Sequence, residues 1–357
     1  MILTQTHLDA AETPPVAHDC GRLDYLGLAE WQEFVESHPE STAFHHRNWI
    51  ETIQQHYGLN LHIPCLKRGG EIQAAIPFLS ARSLFGATKL TSLPFTDCLR
   101  ILSCDPRAAE ALATALVSSH PPCNSMSVRT DTALASVPSS SHTVRHDVLL
   151  ADPWAALRKK IKASVHRNLH KAKRVGLEFV KRTDANALDE FYRLHVLTRR
   201  KIGVPVQPKR FFERVHRHVI AEGLGYIGLV YKAARPIAGG VFLTFNNTVT
   251  YKYAASRPAA LADRPNDWLV YNALRLASEE GYRAFDFGIS NRKHEGLRRF
   301  KANWGARETD VHTVQLVGRE KMPIDESTLF KLTSCVIRNS PAVVCRCLGE
   351  VFYRFAV

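Results

Sequence analysis

Long apolar runs are missing from this 357-residue sequence. No uninterrupted apolar stretch reaches the roughly 18 residues that a membrane-spanning helix requires. Residues 1–20 lack a basic start followed by an apolar core and contain acidic residues, unlike a secretory signal peptide. The sequence therefore predicts a cytoplasmic protein.

Patterns that hold metals or form covalent intermediates are missing as well. The eight cysteines include no CxxC pair and no Cys/His ligand spacing, so we expect no metal site. No Ser-His-Asp or Cys-His spacing indicates a covalent intermediate. Residues 286–288 read DFG, but the glycine-rich and HRD loops of protein kinases are absent, which excludes that class.

Acidic residues are scarce relative to basic ones. The chain has 47 Lys and Arg against 34 Asp and Glu, a formal charge of +13, with 45% apolar and 23% charged residues. In a normally apolar chain this excess indicates an anionic partner: nucleic acid, an anionic membrane face or a phosphorylated small molecule. A cell in which basic proteins are common is the alternative explanation.

The basic excess is concentrated at residues 158–174, RKKIKASVHRNLHKAKR, which contain no Asp or Glu. On a helix Lys160, Arg167, Lys171 and Arg174 fall on or near one face, where they can bind phosphate oxygens together. Arg200, with its basic neighbours in the next helix, extends the positive region. We expect an anion site here; a merely solvated helix is the alternative.

The order of elements predicts an α/β (α+β) fold. Two helices and a hairpin open the chain. After a Ser-rich loop near residue 140 come two helices at 154–175 and 185–202, three strands with a turn at Asn246-Asn247, a helix capped by Asn266 or Asp267, and a strand at 283–288. This order is that of GNAT acyltransferases, and the first half repeats it loosely.

We therefore expect tandem GNAT-like domains, with mixed, mostly antiparallel sheets flanked by helices. The predicted divisions are a polar leader at 1–20, an N-terminal domain at 21–145, a C-terminal domain at 146–320 and an amphipathic helical tail at 321–357. The basic amphipathic tail is a candidate for peripheral contact with the inner membrane surface. Packing on its own domain is the alternative.

Glycine is missing between Gly240 and Gly281. GNAT enzymes usually hold the coenzyme A pyrophosphate with backbone N–H groups of a glycine-rich loop after the fourth strand. The corresponding loop here, AASRPAALADRPND, contains none. We expect side chains such as Arg257 and Arg264, with the basic helix, to hold a donor instead.

Five segments in order resemble the FemAB peptidyltransferases and their CelD-like acetyltransferase branch. They are STAFHHRNWIETIQQHYG, KASVHRNLHKAKRVGLEF, FYRLHVLTRRKIGVPVQPKRFF, VYKAARPIAGGVFLTFNNTVTYKYAAS and FDFGISNRKHEGLRRFKANWGA. The resemblance implies transfer of an acyl or aminoacyl group to an amine, in cell-wall peptidoglycan or exopolysaccharide metabolism. A non-catalytic protein that binds an anionic lipid-linked or nucleotide-linked glycan is the alternative.

The family's Phe-Lys pair matches Phe300 and Lys301, which implies that Lys301 stabilises the oxyanion and Phe300 shapes the wall. Without the resemblance, Lys301 would be an ordinary surface residue. We expect no permanently bound cofactor; the donor is acyl-CoA or aminoacyl-tRNA, so tRNA is a candidate partner. The remaining candidate substrate-binding or phosphate-binding residues are Arg200, Tyr253, Arg257, Asp286, Asn291 and Arg292, with a structural role for Asp286 as an even alternative.

One departure from the family concerns the acceptor. The family's first-domain tryptophan is followed by a lysine that contacts a nucleotide diphosphate, whereas Trp49 is followed by Ile50. Recognition of a UDP-linked precursor is therefore not expected, and another amine is the expected acceptor.

Overall fold

A computed structural model describes residues 22–82 and 86–319, together with 334, 337–341, 344–346, 349 and 353. The strands are β1 (Arg22–Tyr25), β2 (Asn60–His62), β3 (Pro64–Arg68), β4 (Glu71–Ala75), β5 (Phe78–Arg82), β6 (Thr88–Thr91), β7 (Leu102–Ser103), β8 (Ser125–Thr130), β9 (Ser139–Leu149), β10 (Glu178–Arg182), β11 (Gly225–Lys232), β12 (Arg235–Phe245), β13 (Thr248–Ser256), β14 (Ala284–Asn291) and β15 (Arg307–Val317). The helices are α1 (Leu28–Ser37), α2 (Arg47–Tyr57), α3 (Pro106–Ser118), α4 (Trp154–Lys160), α5 (Ala163–Arg174), α6 (Ala185–Ile202), α7 (Lys209–Val215), α8 (Pro265–Glu279) and α9 (Glu295–Ala302).

The strands form a large sheet of order β10-β11-β12-β13-β14-β9-β15-β8-β6-β5-β2 and a small one of order β1-β3-β4-β7. The pairs β13–β14 and β6–β8 are parallel, and the other pairs of the described strands are antiparallel. Helices pack on the large sheet; α6 and α8 both contact β12 and β13. The prediction of mixed, mostly antiparallel sheets flanked by helices is confirmed.

In the large sheet, β9 from the first half of the chain and β15 from the second half each pair with a strand of the other half, and we call them the exchanged strands. β9 pairs with β14, and β15 lies between β9 and β8. The predicted division between residues 145 and 146 falls inside β9, and the Ser-rich segment predicted as a loop begins this strand. The division into domains stays a prediction.

Two apolar core clusters lie on the large sheet. Val241 and Leu243 belong to the first, which also contains α6 and α7 residues, whereas Phe242 belongs to the second, which contains α5 and α8 residues. Because alternate strand residues point to opposite faces, the two clusters cover opposite faces of the sheet at β12. Each half of the chain contributes to the first cluster.

Turns with special backbone requirements agree with the sequence. Gly58 ends α2 with φ of 64°, and Asn246 and Asn247 have φ of 48° and 49° between β12 and β13. In contrast, the helix predicted over 154–175 is broken between α4 and α5. The backbone N–H of Lys162 donates to the carbonyl of Asn303 at 3.0 Å, a bond that a continuous helix could not make.

The cap predicted for α8 is also wrong. Arg264, with φ of 63°, occupies the cap position instead of Asn266 or Asp267, and its side chain makes no cap hydrogen bond. Pro265 at the first helical position explains the shift, because its missing N–H costs nothing there.

The predicted tail lies largely outside the described residues. Of those described, Ile337, Cys345 and Tyr353 are buried, and the Tyr353 hydroxyl accepts a 2.7 Å hydrogen bond from Arg199. These contacts favour packing on the chain itself; membrane contact stays a prediction. In the described part of the chain, no helix is both long and apolar enough to cross a bilayer.

Candidate active site

The parallel strands β13 and β14 separate partway along their length. They are paired from Thr248 to Thr250 and from Ala284 to Asp286, and beyond this point the register ends although both strands continue. In β13, Lys252 is an extra residue opposite Val241 and Phe242 of β12. Such a bulge bends a strand and redirects its side chains.

β14 carries a second bulge at the same level. Asp286 pairs with Asp147 and Ile289 with Arg145, so Phe287 and Gly288 lie opposite the single residue His146. A pocket of about 370 Å³ occupies the gap between the bulged strands. Its walls are Asp97, Tyr251, Lys252, Ala254, Asn266, Phe287, Gly288, Ile289, Leu297, Phe300 and Lys301.

Lys301 reaches this pocket from α9 and is only 5% exposed. Its ammonium donates to the carbonyls of Gly288 at 3.0 Å and Ile289 at 3.1 Å. Burial lowers its pKa to about 8, while the charges of Asp97, Asp286 and Glu308 oppose this shift. The ammonium is therefore mostly protonated at neutral pH and can lose its proton in mildly alkaline solution.

A second lysine and a carboxylate lie in the pocket, and the sequence analysis missed both. The Lys252 ammonium donates to Asp97 Oδ1 at 2.8 Å, and its side chain is 4% exposed. It lies 5.1 Å from the centre of the Phe44 ring and 5.8 Å from that of Trp49, within the range of cation–π attraction. A lysine among the apolar residues of strand TVTYKYAAS was the one available sequence signal.

The loop that carries Asp97 is held in a strained conformation. Leu93 and Phe95 have φ of 53° and 62°, which side chains other than glycine rarely adopt. The Trp49 indole donates to Thr96 Oγ1 at 2.9 Å, and the Phe95 ring lies 5.5 Å from that of Tyr353. Strain of this kind persists when surrounding contacts impose it, often at functional sites.

Both residues of the predicted pair, Phe300 and Lys301, line the pocket, and their catalytic roles stay a prediction. Phe300 lines the pocket and packs edge-on against Trp304, with ring centres 6.3 Å apart. Three other predicted residues lie nearby but are engaged elsewhere. Asp286 is buried and bonded to Arg145, Asn291 accepts from the Lys293 N–H at 2.9 Å, and Arg292 pairs with Asp310.

The basic residues of α5 lie outside the pocket. Arg167 and Arg174 are exposed and Lys171 is half-buried. On the same helix, Asn168 donates to Asp267 of α8 at 3.3 Å, next to the pocket residue Asn266. The cationic surface of α5 therefore begins beside the N-terminus of α8.

Three further predicted residues do not line the pocket. Arg200 is in the last turn of α6, and the Tyr253 hydroxyl is 3.5 Å from Gln207 Nε2 while its ring contacts Lys252. Arg257 follows β13, and its buried Nε has no hydrogen-bond partner among the described residues. In the same part of the chain, no cluster of three His, Cys, Asp or Glu could hold a metal ion.

The segment that forms most of this pocket is similar to a known family. Residues 158–302 match the acetyltransferase (GNAT) domain family. This match covers less than half of the chain. This segment runs from α4 to the last residue of α9 and includes β13, β14 and Lys301. No curated protein matches the sequence.

Solved structures extend the likeness beyond the GNAT domain. The crystal structure of FemX is 14% identical with a TM-score of 0.69, over 83% of this chain and 97% of that one. The C-terminal domain of a protein assigned as a lysylphosphatidylglycerol synthetase from Agrobacterium fabrum is 12% identical with a TM-score of 0.55, over 87% and 95%. At such identities the likeness shows the fold alone, and the predicted FemAB-like GNAT fold is confirmed.

Proposed function

We propose that this GNAT protein transfers an acyl or aminoacyl group from an activated ester or thioester to an amine, forming an amide. The observation that carries the proposal is the buried ammonium of Lys301 in the gap between β13 and β14 of the GNAT domain. The fold shared with FemX and the synthetase domain supports a role in the cell envelope, in peptidoglycan, lipid or exopolysaccharide metabolism.

Lys301 would stabilise the tetrahedral intermediate. When the amine attacks, the carbonyl π electrons move onto oxygen, and a desolvated ammonium binds this oxyanion better than the neutral carbonyl. A protonated lysine has three N–H donors. Gly288 and Ile289 accept two of them in the described part of the chain, which leaves one for the oxyanion.

Asp97 would accept the proton that the attacking amine must lose. Its carboxylate is 24% exposed at the pocket wall, and Lys252 fixes one of its oxygens. Formation of the C–N bond transfers the amine proton to Asp97. Collapse of the intermediate then breaks the C–O or C–S bond, and the leaving alcohol or thiol takes up that proton.

Phosphates of the donor would lie toward the N-terminus of α8. The N-terminal N–H groups of a helix favour anions, and Arg257 and the basic residues of α5 flank this end. Residues 258–263 form a tight 3₁₀ turn in place of a glycine-rich loop. Both acyl-CoA and aminoacyl-tRNA fit such a site.

Donor consumption tests the proposal. The full-length protein is first measured by native mass spectrometry to identify a co-purified ligand. It is then incubated with radiolabelled acetyl-CoA or with a charged tRNA pool and a panel of amines. Wild type should form a labelled amide, and Lys301→Met should bind the same donor but turn over about 10² to 10³ times more slowly.

Lys201→Met removes an exposed lysine and serves as the matched control. Equal turnover of wild type and Lys301→Met would contradict the role of Lys301. A donor that stays bound and intact with every amine would instead support the alternative of a non-catalytic binding protein.

A further inference from the structure

Gly288 is one of the two residues whose carbonyls hold the Lys301 ammonium. Its φ is +69°, and a Cβ at this position would lie 2.8 Å from Asp97 Oδ2, so a larger residue would collide with the carboxylate. Its carbonyl accepts from Lys301, and its N–H lies in the bulge of β14. The conformation of Gly288 therefore helps to set the direction of the Lys301 ammonium.

The Gly288 N–H is held by a side chain rather than by the neighbouring strand. It donates to Asp286 Oδ1 at 2.7 Å. The other oxygen of Asp286 accepts from Arg145 Nε at 2.9 Å. Burial raises the pKa of Asp286, and the Arg145 charge opposes that rise, so Arg145 favours the carboxylate form that accepts both bonds.

Arg145 also forms an ion pair with a second buried carboxylate, that of Asp131. Its Nη1 donates to Asp131 Oδ2 at 2.8 Å, and Arg100 grips both oxygens of Asp131 at 3.0 Å. Arg100 follows Asp97 by three residues in the same loop. Four charged side chains thus connect the loop of Asp97 to the bulge that holds Lys301.

We propose that Asp286, Arg145, Asp131 and Arg100 form a positioning network that fixes Lys301 and Asp97 relative to each other across the exchanged strands. A buried ion network is often no more stabilising than an apolar core of the same shape. Its value here is geometric: it fixes the bulge at Gly288 and the Asp97 loop at the same time. The inference rests on the proposed function only in taking Lys301 and Asp97 as the reacting groups.

Two variants of Asp286 test the network without any substrate. Asp286→Asn keeps an acceptor for the Gly288 N–H but loses the charge, whereas Asp286→Ala loses both. Asp147→Asn and Asp147→Ala are matched controls. Asp147 is the register partner of Asp286, is 5% exposed and pairs with Arg307 at 2.8 Å outside the network.

Hydrogen–deuterium exchange reports the geometry. Peptides that cover residues 284–291 should exchange faster in Asp286→Ala than in Asp286→Asn or in either Asp147 variant, because only Asp286→Ala removes the acceptor of the Gly288 N–H. Unchanged exchange in a folded Asp286→Ala protein would overturn the proposal. Should Asp286→Ala not fold, the labelling of Asp286→Asn decides.

Acetic anhydride labelling of Lys301 across a pH series, read by peptide mass spectrometry, reports the charge network. Asp97, Asp286 and Glu308 favour the ammonium. Burial and the Lys301 charge lower the pKa of His146 to about 4, so this ring stays neutral. Asp286→Asn should shift the labelling midpoint down by about one pH unit. No shift, or an equal shift in Asp147→Asn, would overturn the proposal.

The shift in the labelling midpoint of Lys301 does not depend on whether the protein forms an amide. A protein without transferase activity would still show the shift, so failure of the proposed function and failure of the network are distinguishable. Where amide formation is measurable, Asp286→Asn should lower kcat and leave the KM for the donor unchanged, which a purely structural role would not predict.

Discussion

Cations occupy two contrasting regions of this protein. In the pocket, Lys252 and Lys301 are buried, and each donates to specific acceptors at 2.8–3.1 Å. On α4 and α5, the basic side chains are mostly exposed, and within the described residues Lys160 with Asp152 is the ion pair of this surface. The pocket therefore has few charged groups, and hydrogen bonds hold them in place. The surface has many charged groups, and few contacts hold their side chains in place.

This difference indicates that the buried charges can affect the rate of a reaction, whereas the exposed charges can affect the binding of an anionic ligand. A desolvated charge interacts strongly over a short distance, whereas exposed charges act through a summed field that salt screens. We therefore expect changes in the pocket to alter turnover and changes on α5 to alter affinity and its salt dependence.

The largest effect after loss of Lys301 should come from Asp97→Asn. The amide keeps the shape of the carboxylate but cannot accept the amine proton, so turnover should fall by about 10² or more. The measurement is single-turnover amide formation with saturating donor. Asp105→Asn, an exposed residue in the segment after β7, is the control; an Asp97→Asn protein as fast as this control would remove the role of Asp97 as base.

A pH profile should reveal the burial of Lys301. Because the pKa is lowered to about 8 and the protonated form binds the oxyanion, kcat should fall as the pH rises through 8. The residual activity of Lys301→Met should not show this fall in kcat above pH 8. A fall that persists in this variant would assign it to another titrating group.

The smallest effect should come from the surface. Arg167→Gln, Lys171→Gln and Arg174→Gln together should weaken donor binding several-fold and leave kcat unchanged. For a tRNA donor, the slope of log affinity against log salt should become shallower by about 2 units, and for acyl-CoA by much less. A triple change of Arg193, Lys201 and Arg217 to Gln removes equal charge elsewhere. Equal weakening by both triples would indicate net charge rather than a site.

Much of the local structure could be predicted because single residues determine it. Glycine tolerates the left-handed conformation that ends α2, and paired asparagines do the same in the turn between β12 and β13. The break between α4 and α5 could not be predicted, because the partner of the Lys162 N–H is Asn303, far along the chain.

The candidate site was predictable only in part. The motif resemblance found Phe300 and Lys301, but Asp97 lies 155 residues from Lys252, and Asp286 lies 141 from Arg145. No periodicity in one sequence connects residues so far apart. The sequence supports a site role and a structural role for Asp286 equally, and its buried bonds to Arg145 and Gly288 favour the structural role.

By itself, the sequence determined the order and type of most elements, the positive charge and the identity of the Phe-Lys pair, because these depend on neighbouring residues or on composition. Only the tertiary structure decided that Lys301 is buried, that β13 and β14 separate beside it, and that Asp97 faces it from the other half of the chain. The physical reason is that the energy of a buried charge depends on the groups that the fold packs around it, and these come from segments far apart in the sequence.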